Sequence, residues 1–263
     1  MFLFLSACAK DVVTGKSTLN YYSLASDIQL GQQVMKAQLD EVRKKQKKVD
    51  AQADDEEFYR INRIVNRIVP GTHIPNFPYE VHLAGLDIVN AWCAPGGKIM
   101  VYCGLWDEKK GLVTKGDDNE LAAVIGHEIA HATARHVTET LSRVSTIQIV
   151  GSVAASAIAT AGSAQGSDLF GEVFTQGMNV YVPSYSRENE AEADRIGLFY
   201  MAKAGYDPRA AVRLWERAAK KHGGDKTSIF ASHPASGERA NNLKALLPAA
   251  MSVYNEAKKQ YRD

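Results

Sequence analysis

The chain is poor in cysteine, has almost no net charge and contains no long apolar run. Only three of its 263 residues are cysteines, so neither a disulfide-rich scaffold nor a cysteine-based metal motif is available. Lysine and arginine number 31 against 30 acidic residues, and this balance gives no support for a nucleic-acid partner. No stretch reaches the ~18–20 continuous apolar residues of a membrane span. Hydrophobic residues make up 45% of the chain, enough to build a sizeable core.

The N-terminus resembles a bacterial export signal. The run MFLFLSAC ends at Cys8 and is similar to the lipobox of bacterial lipoproteins, whose cysteine is lipidated and becomes the first mature residue. A secretory signal has a basic n-region before ~7–15 apolar residues, whereas seven residues, none of them basic, precede this cysteine. We interpret residues 1–8 as a signal and lipobox remnant, residues 9–24 as a tether, and residues 25–263 as one domain. The alternative is a frayed apolar terminus.

Apolar residues at helical spacing predict helices over most of the chain. Residues 24–48 and 54–69 form two amphipathic segments, and Pro70 ends the second. Asp117, followed three residues later by Glu120, forms a capping-box pattern before the next helix. Further helices are predicted over about 119–141, 147–161, 168–181, 184–204 and 208–221, with a loop and a last pair of helices after them.

Only a short central stretch alternates as strands do. Residues Tyr79 to Leu83 alternate, and NAWCAPGGKIMVYC predicts a hairpin that turns at Gly96 and Gly97. Helices, then a small sheet, then many helices indicate a predominantly α-helical α+β fold with one domain.

Two histidines four residues apart lie in the apolar part of DDNELAAVIGHEIAHATARH. On a helix, His127 and His131 share one face, one turn apart, and can bind one cation together. Glu128 is too far round the helix to bind that cation but can accept a proton from its water. HExxH therefore predicts two zinc ligands and a general base for hydrolysis. The alternative, a pair of surface histidines, would have polar neighbours, and these are mostly apolar.

The third ligand follows by elimination. The metzincin pattern requires a histidine at a position that holds Val137. His136 would lie half a turn from the ligand face, so we expect it at the surface or at a helix cap. Downstream, SRENEAEADRIG places Glu190 and Asp194 on one helical face and turns Glu192 away. Glu190 is the expected ligand, and Asp194 is expected to orient a ligand histidine.

Together, HExxH, a long spacer and EAEAD resemble the gluzincin peptidases of family M48. These include HtpX, the CAAX prenyl endopeptidases and outer-membrane lipoprotein peptidases of the LoiP and BepA kind. The resemblance extends over about residues 25–250 and includes NAWCAPGGKIMVYCGL and SHPASGER. It implies a zincin-like single domain, with one zinc ion bound by His127, His131 and Glu190 and with Glu128 as general base.

The resemblance also implies roles for a late histidine and for the hairpin. His233 would approach the zinc ion, either polarising the reaction intermediate or capping the metal as an inhibitory ligand. A loop histidine at a helix start is the alternative. Arg239 is expected to form a salt bridge. The hairpin would bind extended or unfolded polypeptides along an edge strand, through residues Asn90, Ala91, Trp92, Gly96 and Gly97.

These implications predict a zinc-dependent endopeptidase of the bacterial envelope that hydrolyses unfolded or misassembled proteins. It would be periplasmic and anchored to the outer membrane through lipidated Cys8. A second hypothesis is a chaperone-like binder of outer-membrane protein precursors, with proteolysis minor or blocked by His233. A third and weaker one is a hydrolase of substrates other than peptides. No tandem helical repeat follows, so the chain resembles the short, single-domain lipoprotein members.

The remaining cysteines allow two interpretations. Cys93 and Cys103 lie on opposite arms of the predicted hairpin and can pair in an oxidising compartment. Because disulfide geometry is demanding, two separate buried thiols are an equal alternative.

Overall fold

The structure, a computed structural model, describes residues 8–10, 13, 15, 17–156, 185–221, 233 and 237–260. In chain order the elements are β1 (Cys8–Lys10), β2 (Ser17–Leu19), α1 (Leu24–Lys44), α2 (Asp55–Ile68), β3 (Glu80–Ala84), β4 (Ala91–Ala94), β5 (Lys98–Tyr102), α3 (Asp118–Thr133), α4 (His136–Ser156), α5 (Arg187–Lys203), α6 (Arg209–Lys221) and α7 (Gly237–Gln260). The predominantly helical α+β fold is confirmed. The predicted helix over 168–181 lies outside the described residues.

A three-stranded sheet occupies the middle of the fold, in the order β3-β5-β4. β4 and β5 form the predicted antiparallel hairpin, and β3 pairs with β5 in parallel. Alternate residues of the sheet face two different clusters: Ile99 packs towards α2 and α3, whereas Met100 packs towards α1. The sheet therefore lies between helices on both faces, and β4 is one of its two edges.

The helix that carries HExxH begins at the predicted cap. Asp117 accepts hydrogen bonds from the main-chain N–H groups of Asn119 (2.9 Å) and Glu120 (3.1 Å). The Glu120 carboxylate does not close a capping box, because it accepts instead from the N–H of Thr114 (2.8 Å) and from Arg217 (2.8 and 2.6 Å). This ion pair joins the start of α3 to α6.

The prediction of one helix over residues 119–141 is wrong, because α3 ends at Thr133 and α4 begins at His136. Arg135 adopts a left-handed conformation, with φ of 59°. Its guanidinium donates to both carboxylate oxygens of Asp27 (2.6 and 3.2 Å) and to the Tyr22 carbonyl (2.5 Å). These contacts with α1 and the segment before it hold a conformation that arginine rarely adopts.

The C-terminal prediction also needs correction. The sequence predicts a loop and then two helices, whereas α7 runs as one helix from Gly237 to Gln260 with Pro248 inside it. Its buried face, including Leu243 and Ala250, packs into the main core beside α5 and α6. Burial of that face favours continuation of the helix through the proline.

The segment expected as a tether is in part ordered. β1 and β2 pair as an antiparallel two-stranded sheet. Asn20 is buried and donates to the Thr138 hydroxyl of α4 (3.0 Å), and the N–H of Tyr21 donates to Ser142 (2.9 Å). Residues 1–7 lie outside the described residues, so the boundary at residue 8 stays a prediction. Among the described helices, none has both the length and the apolar character to cross a membrane.

Candidate metal centre

Four buried side chains converge where α3 faces α5. His127, His131, Glu190 and His233 each offer one ligand atom, and these atoms lie within 4.8 Å of one another. His127 Nε2 lies 3.0 Å from His131 Nε2 and 3.2 Å from His233 Nδ1. The structure thus brings the three predicted ligands together with His233, which the resemblance placed near the metal.

The two carboxylate oxygens of Glu190 face different partners. Oε1 lies 2.8 Å from His233 Nδ1 and 3.3 Å from His131 Nε2, inside the cluster. Oε2 forms an ion pair with Arg239 Nη1 at 2.7 Å. Burial acts to raise the pKa of Glu190, but the charges of His233 and Arg239 outweigh it and hold the pKa well below its ordinary value. Glu190 therefore stays a carboxylate in this environment.

Asp194 lies one turn after Glu190 and faces the other ring nitrogen of His127. Their Oδ1 and Nδ1 atoms are 3.0 Å apart, which leaves His127 Nε2 directed at the cluster. Arg239 donates to both oxygens of Asp194 (2.7 and 2.8 Å), and its guanidinium lies 3.6 Å over the Trp215 ring. Burial opposes ionisation of Asp194, yet these contacts with Arg239 lower its pKa. The expected salt bridge of Arg239 is present, to two carboxylates.

Glu128 lies next to the four-residue cluster but is not one of its members. Its Oε1 is 3.6 Å from His233 Nε2, and neither atom has a hydrogen-bond partner among the described residues. Burial raises the pKa of Glu128, against the opposing charges of His233 and His127. The pKa of His233 is raised as well: burial acts to lower it, but the carboxylates of Glu190 and Glu128 prevail.

The prediction that His136 lies at the surface or at a helix cap is wrong. Because the chain turns at Arg135, the His136 ring is fully buried, and its Nδ1 lies 2.8 Å from Nδ1 of His131. Its Nε2 lies 3.0 Å from Glu192 Oε2, so Glu192 faces away from the cluster as expected. Tyr185 was not predicted; its ring stacks on His131 at 3.8 Å between centroids. Helical spacing could not predict the contact of His131 with either His136 or Tyr185, because neither residue lies on the same helix as His131.

The donor set fits a divalent metal ion. Three imidazole nitrogens and one carboxylate oxygen are the ligand types that bind such ions in hydrolases. Burial lowers the pKa of His131 well below its ordinary value, so its imidazole is neutral, as a ligand must be. His127 and His131 each also have a partner at Nδ1, the ring nitrogen outside the cluster. These contacts orient each ring so that its Nε2 points into the cluster.

The predicted substrate residues lie in and around β4. Trp92 is buried and donates from Nε1 to the Tyr102 hydroxyl (3.1 Å), whereas Ala91 is fully buried in the main core. The main-chain carbonyl oxygen of Asn90 accepts a hydrogen bond from the N–H of Tyr102 (3.2 Å), so the main chain of Asn90 is directed towards β5. Because an antiparallel ladder alternates, Ala91 and Cys93 direct their main-chain groups to the side of β4 that pairs with no strand among the described residues.

The turn between β4 and β5 is packed against its neighbours. Gly96 and Gly97 have φ values of 71° and 81°, and added Cβ atoms would meet the Ile28 backbone (2.6 Å) and the Tyr79 ring (2.6 Å). Glycine is therefore required at both positions for packing.

The structure contains no disulfide between the hairpin cysteines. Cys93 is opposite Ile99 in the ladder, and Cys103 follows β5 in a short 3₁₀ helix, so both are free thiols. Among the two alternatives, separate thiols are the observed one.

Comparison with known proteins finds a peptidase family profile and relatives named as proteases. The sequence profile of Peptidase family M48 matches residues 55–247. The mitochondrial metalloendopeptidase OMA1 of Schizosaccharomyces pombe is 33% identical over 194 residues, 72% of this chain and 53% of that protein. Metalloprotease LoiP of Escherichia coli is 32% identical over 201 residues, 76% and 74% of the two chains. The beta-barrel assembly-enhancing protease of Yersinia pestis is 27% identical over 210 residues, 75% and 42%.

The chain spans about half or less of the length of the OMA1 relatives that it matches. The match to LoiP, in contrast, covers most of both proteins. Since the family profile covers more than half of the sequence, and the HExxH helix and Glu190 lie within it, the chain belongs to Peptidase family M48.

Proposed function

We propose that the chain is a zinc-dependent endopeptidase that cleaves extended polypeptides at the cluster of His127, His131 and Glu190. The observation that carries the proposal is the position of Glu128. Its buried carboxylate lies beside the ligand atoms, and its Oε1 has no hydrogen-bond partner among the described residues. A carboxylate left available at such a place suits proton transfer better than structural support.

His127 Nε2, His131 Nε2 and Glu190 Oε1 would hold the metal ion. When bound, zinc acts as a Lewis acid towards a carbonyl oxygen and makes water easier to deprotonate. Glu128 accepts the proton from the attacking water and returns it to the leaving amine. The raised pKa of Glu128 supports both steps, because a base whose pKa lies closer to the working pH also serves as an acid.

An edge strand would hold the substrate. The main-chain groups of Cys93 face the outer edge of β4, which pairs with no strand in the part of the chain that the structure describes. β4 itself packs against α3, the helix of the HExxH motif. An extended peptide added there gains main-chain hydrogen bonds that depend little on its sequence. This arrangement favours unfolded or misassembled proteins as substrates, and a folded protein cleaved as fast as its denatured form would contradict it.

The proposed location is the periplasm, with an anchor in the outer membrane through lipidated Cys8. Support comes from the lipobox-like run before this residue and from the bacterial relatives, one of them named for enhancing β-barrel assembly. Mass spectrometry of the protein from bacterial membranes tests the anchor. A diacylglycerol thioether at Cys8 is expected, and an unmodified thiol would contradict the proposal.

Holding precursors without cleaving them is the second candidate function. His233 Nδ1 lies within the ligand cluster, 2.8 Å from Glu190 Oε1, where it could complete a closed metal site. His233→Ala separates the two roles of this residue. If His233 caps the metal, the variant cleaves casein faster than the wild type; if His233 assists the reaction, cleavage slows.

The central test uses Glu128→Gln. We expect stoichiometric zinc by metal analysis of the purified protein, and a fall of casein cleavage by about 10²–10⁴-fold when the general base is lost. Glu139→Gln, a partly exposed carboxylate of α4, is the matched control and keeps wild-type activity. Wild-type protein without zinc, or cleavage by Glu128→Gln at the control rate, would refute the proposed function.

A further inference from the structure

His136 is a buried polar ring that the proposed reaction does not use. It follows the break between α3 and α4 and has an exposed fraction of 0%. Each of its nitrogens lies within hydrogen-bond distance of a named partner: Nδ1 is 2.8 Å from His131 Nδ1, and Nε2 is 3.0 Å from Glu192 Oε2. A buried imidazole with two directed contacts costs free energy to place, so its partners point to its role.

When His131 binds a metal through Nε2, these contacts allow only one assignment of protons to the ring nitrogens of His131 and His136. The proton of a neutral ligand imidazole then lies on Nδ1, and His136 Nδ1 is the acceptor that faces it. His136 must therefore carry its own proton on Nε2, and the Glu192 carboxylate oxygen that faces Nε2 accepts it. The three side chains form a chain of hydrogen bonds in which each proton has one place.

We propose that His136 and Glu192 are positioning residues that fix the tautomer and ring orientation of His131. The inference rests on the proposed function, in which His131 is a metal ligand. The other helical ligand, His127, has a carboxylate directly at its second nitrogen, that of Asp194. For His131 the carboxylate is one imidazole further away, at Glu192.

The surroundings hold this chain in place. Tyr185 stacks on the His131 ring, with planes 24° apart, and limits its rotation from one side. The bonds from Arg135 to Asp27 set the turn that brings His136 back towards α3. Glu192 is partly exposed and lines a surface cavity, and its Oε2 lies 3.0 Å from His136 Nε2.

The test is the zinc affinity of the whole chain, measured by competition with a chromophoric chelator. Loss of an outer partner of a ligand histidine lowers metal affinity by about 10- to 100-fold, which we expect for His136→Leu. His136→Gln can still accept the proton of His131 and recovers most of that loss. Glu192→Gln weakens zinc binding by a smaller factor, because an amide oxygen still accepts but has no charge.

Glu188→Gln is the matched control, since it removes a carboxylate from the exposed first turn of the same helix. It keeps the wild-type zinc affinity. Thermal unfolding of the zinc-free proteins distinguishes positioning of His131 from a packing role of His136. Loss of packing alone lowers the unfolding temperature and leaves zinc affinity unchanged.

The outcomes distinguish this inference from the proposed function. If the wild type binds no zinc, the proposed function fails and the inference falls with it. If the wild type binds zinc and folded His136→Leu binds it equally well, only the positioning role is overturned. Should His136→Leu not fold, Glu192→Gln decides: affinity below that of Glu188→Gln supports the role, and equal affinity overturns it.

Discussion

Gly126 of α3 and Gly197 of α5 lie in direct backbone contact where the two helices cross. A Cβ added at Gly197 would be 2.7 Å from the main-chain nitrogen of His127, and one added at Gly126 would be 2.9 Å from the Gly197 carbonyl oxygen. Backbones this close need residues without side chains at the crossing. The contact lies next to His127, the first histidine of HExxH. It therefore sets the distance between α3 and α5 that the Glu190 side chain spans to meet the histidines.

Gly197→Ala should therefore damage both the fold and the metal site. The added methyl must push α5 away from α3, and such overpacking costs about 1–3 kcal/mol of the free energy of unfolding. We expect zinc affinity to fall with it, because Glu190 and Asp194 move with the helix. Denaturant unfolding and chelator competition measure the two effects. Gly71→Ala, whose Cβ would meet Lys203 Cβ at 3.4 Å, is the control and should change neither.

Arg239→Met should be strongly destabilising. The substitution leaves the buried carboxylates of Asp194 and Glu190 without their cation, and breaking a buried pair costs about 3–5 kcal/mol. Arg239→Lys should restore only part of this, because an ammonium cannot replace the two-pronged contact with Asp194. Urea unfolding of the zinc-free proteins measures the difference. The comparison is Arg209→Met, which breaks an exposed pair with Asp207 and should change the free energy of unfolding little. Equal stability of the two methionine variants would contradict the prediction.

The ion pair of Glu120 with Arg217 should make stability depend on pH on the acid side. Burial of Glu120 opposes ionisation, but hydrogen bonds from Arg217 and Thr114 lower its pKa in the folded protein. A lowered folded-state pKa means that the stabilisation is complete above the unfolded-state pKa of about 4.3 and is lost as the pH falls towards the folded-state value.

Glu120→Gln should thus lower the free energy of unfolding at pH 7 by about 1–3 kcal/mol, with a smaller effect below pH ~4. Urea unfolding between those pH values tests this, with the exposed Glu256→Gln as control. A difference between wild type and Glu120→Gln that stays constant with pH would rule out the ion pair as its source.

The thiols of the hairpin should be free and slow to react. Burial raises the pKa of Cys103 to about 11 and that of Cys93 well above its ordinary value. Because the thiolate is the nucleophile, iodoacetamide at pH 8 should alkylate Cys103 about 100-fold more slowly than a free cysteine. In a Cys8→Ser background, two thiols per chain are expected after unfolding, with and without reductant. An increase on reduction would indicate a disulfide.

Local periodicity was sufficient where the interacting residues lie on one element. His127 and His131 share a helical face because they are four residues apart, and the same rule pairs Glu190 with Asp194. The hairpin follows from alternation and two glycines at its turn. Within β5, by contrast, nothing indicates that β3 pairs with it in parallel, since pairing depends on which strands the packed helices bring together.

The contacts around His136 show why the same reasoning failed nearby. Residues 132–136 contain no glycine, proline or asparagine, and helical extrapolation continues α3 through them. The helix ends because Arg135 reaches Asp27, 108 residues earlier in the chain. An ion pair over that separation has no local signature.

The sequence by itself determined which chemical groups are available: two imidazoles and a carboxylate on one helix, two carboxylates on another, and the family to which these patterns belong. Tertiary structure alone decided how they meet. The glycine crossing of α3 and α5 sets the distance across the cluster, and the turn at Arg135 makes His136 a partner of His131. The reason is physical: residue spacing fixes direction on one helix, whereas distance between helices depends on packing over the whole fold.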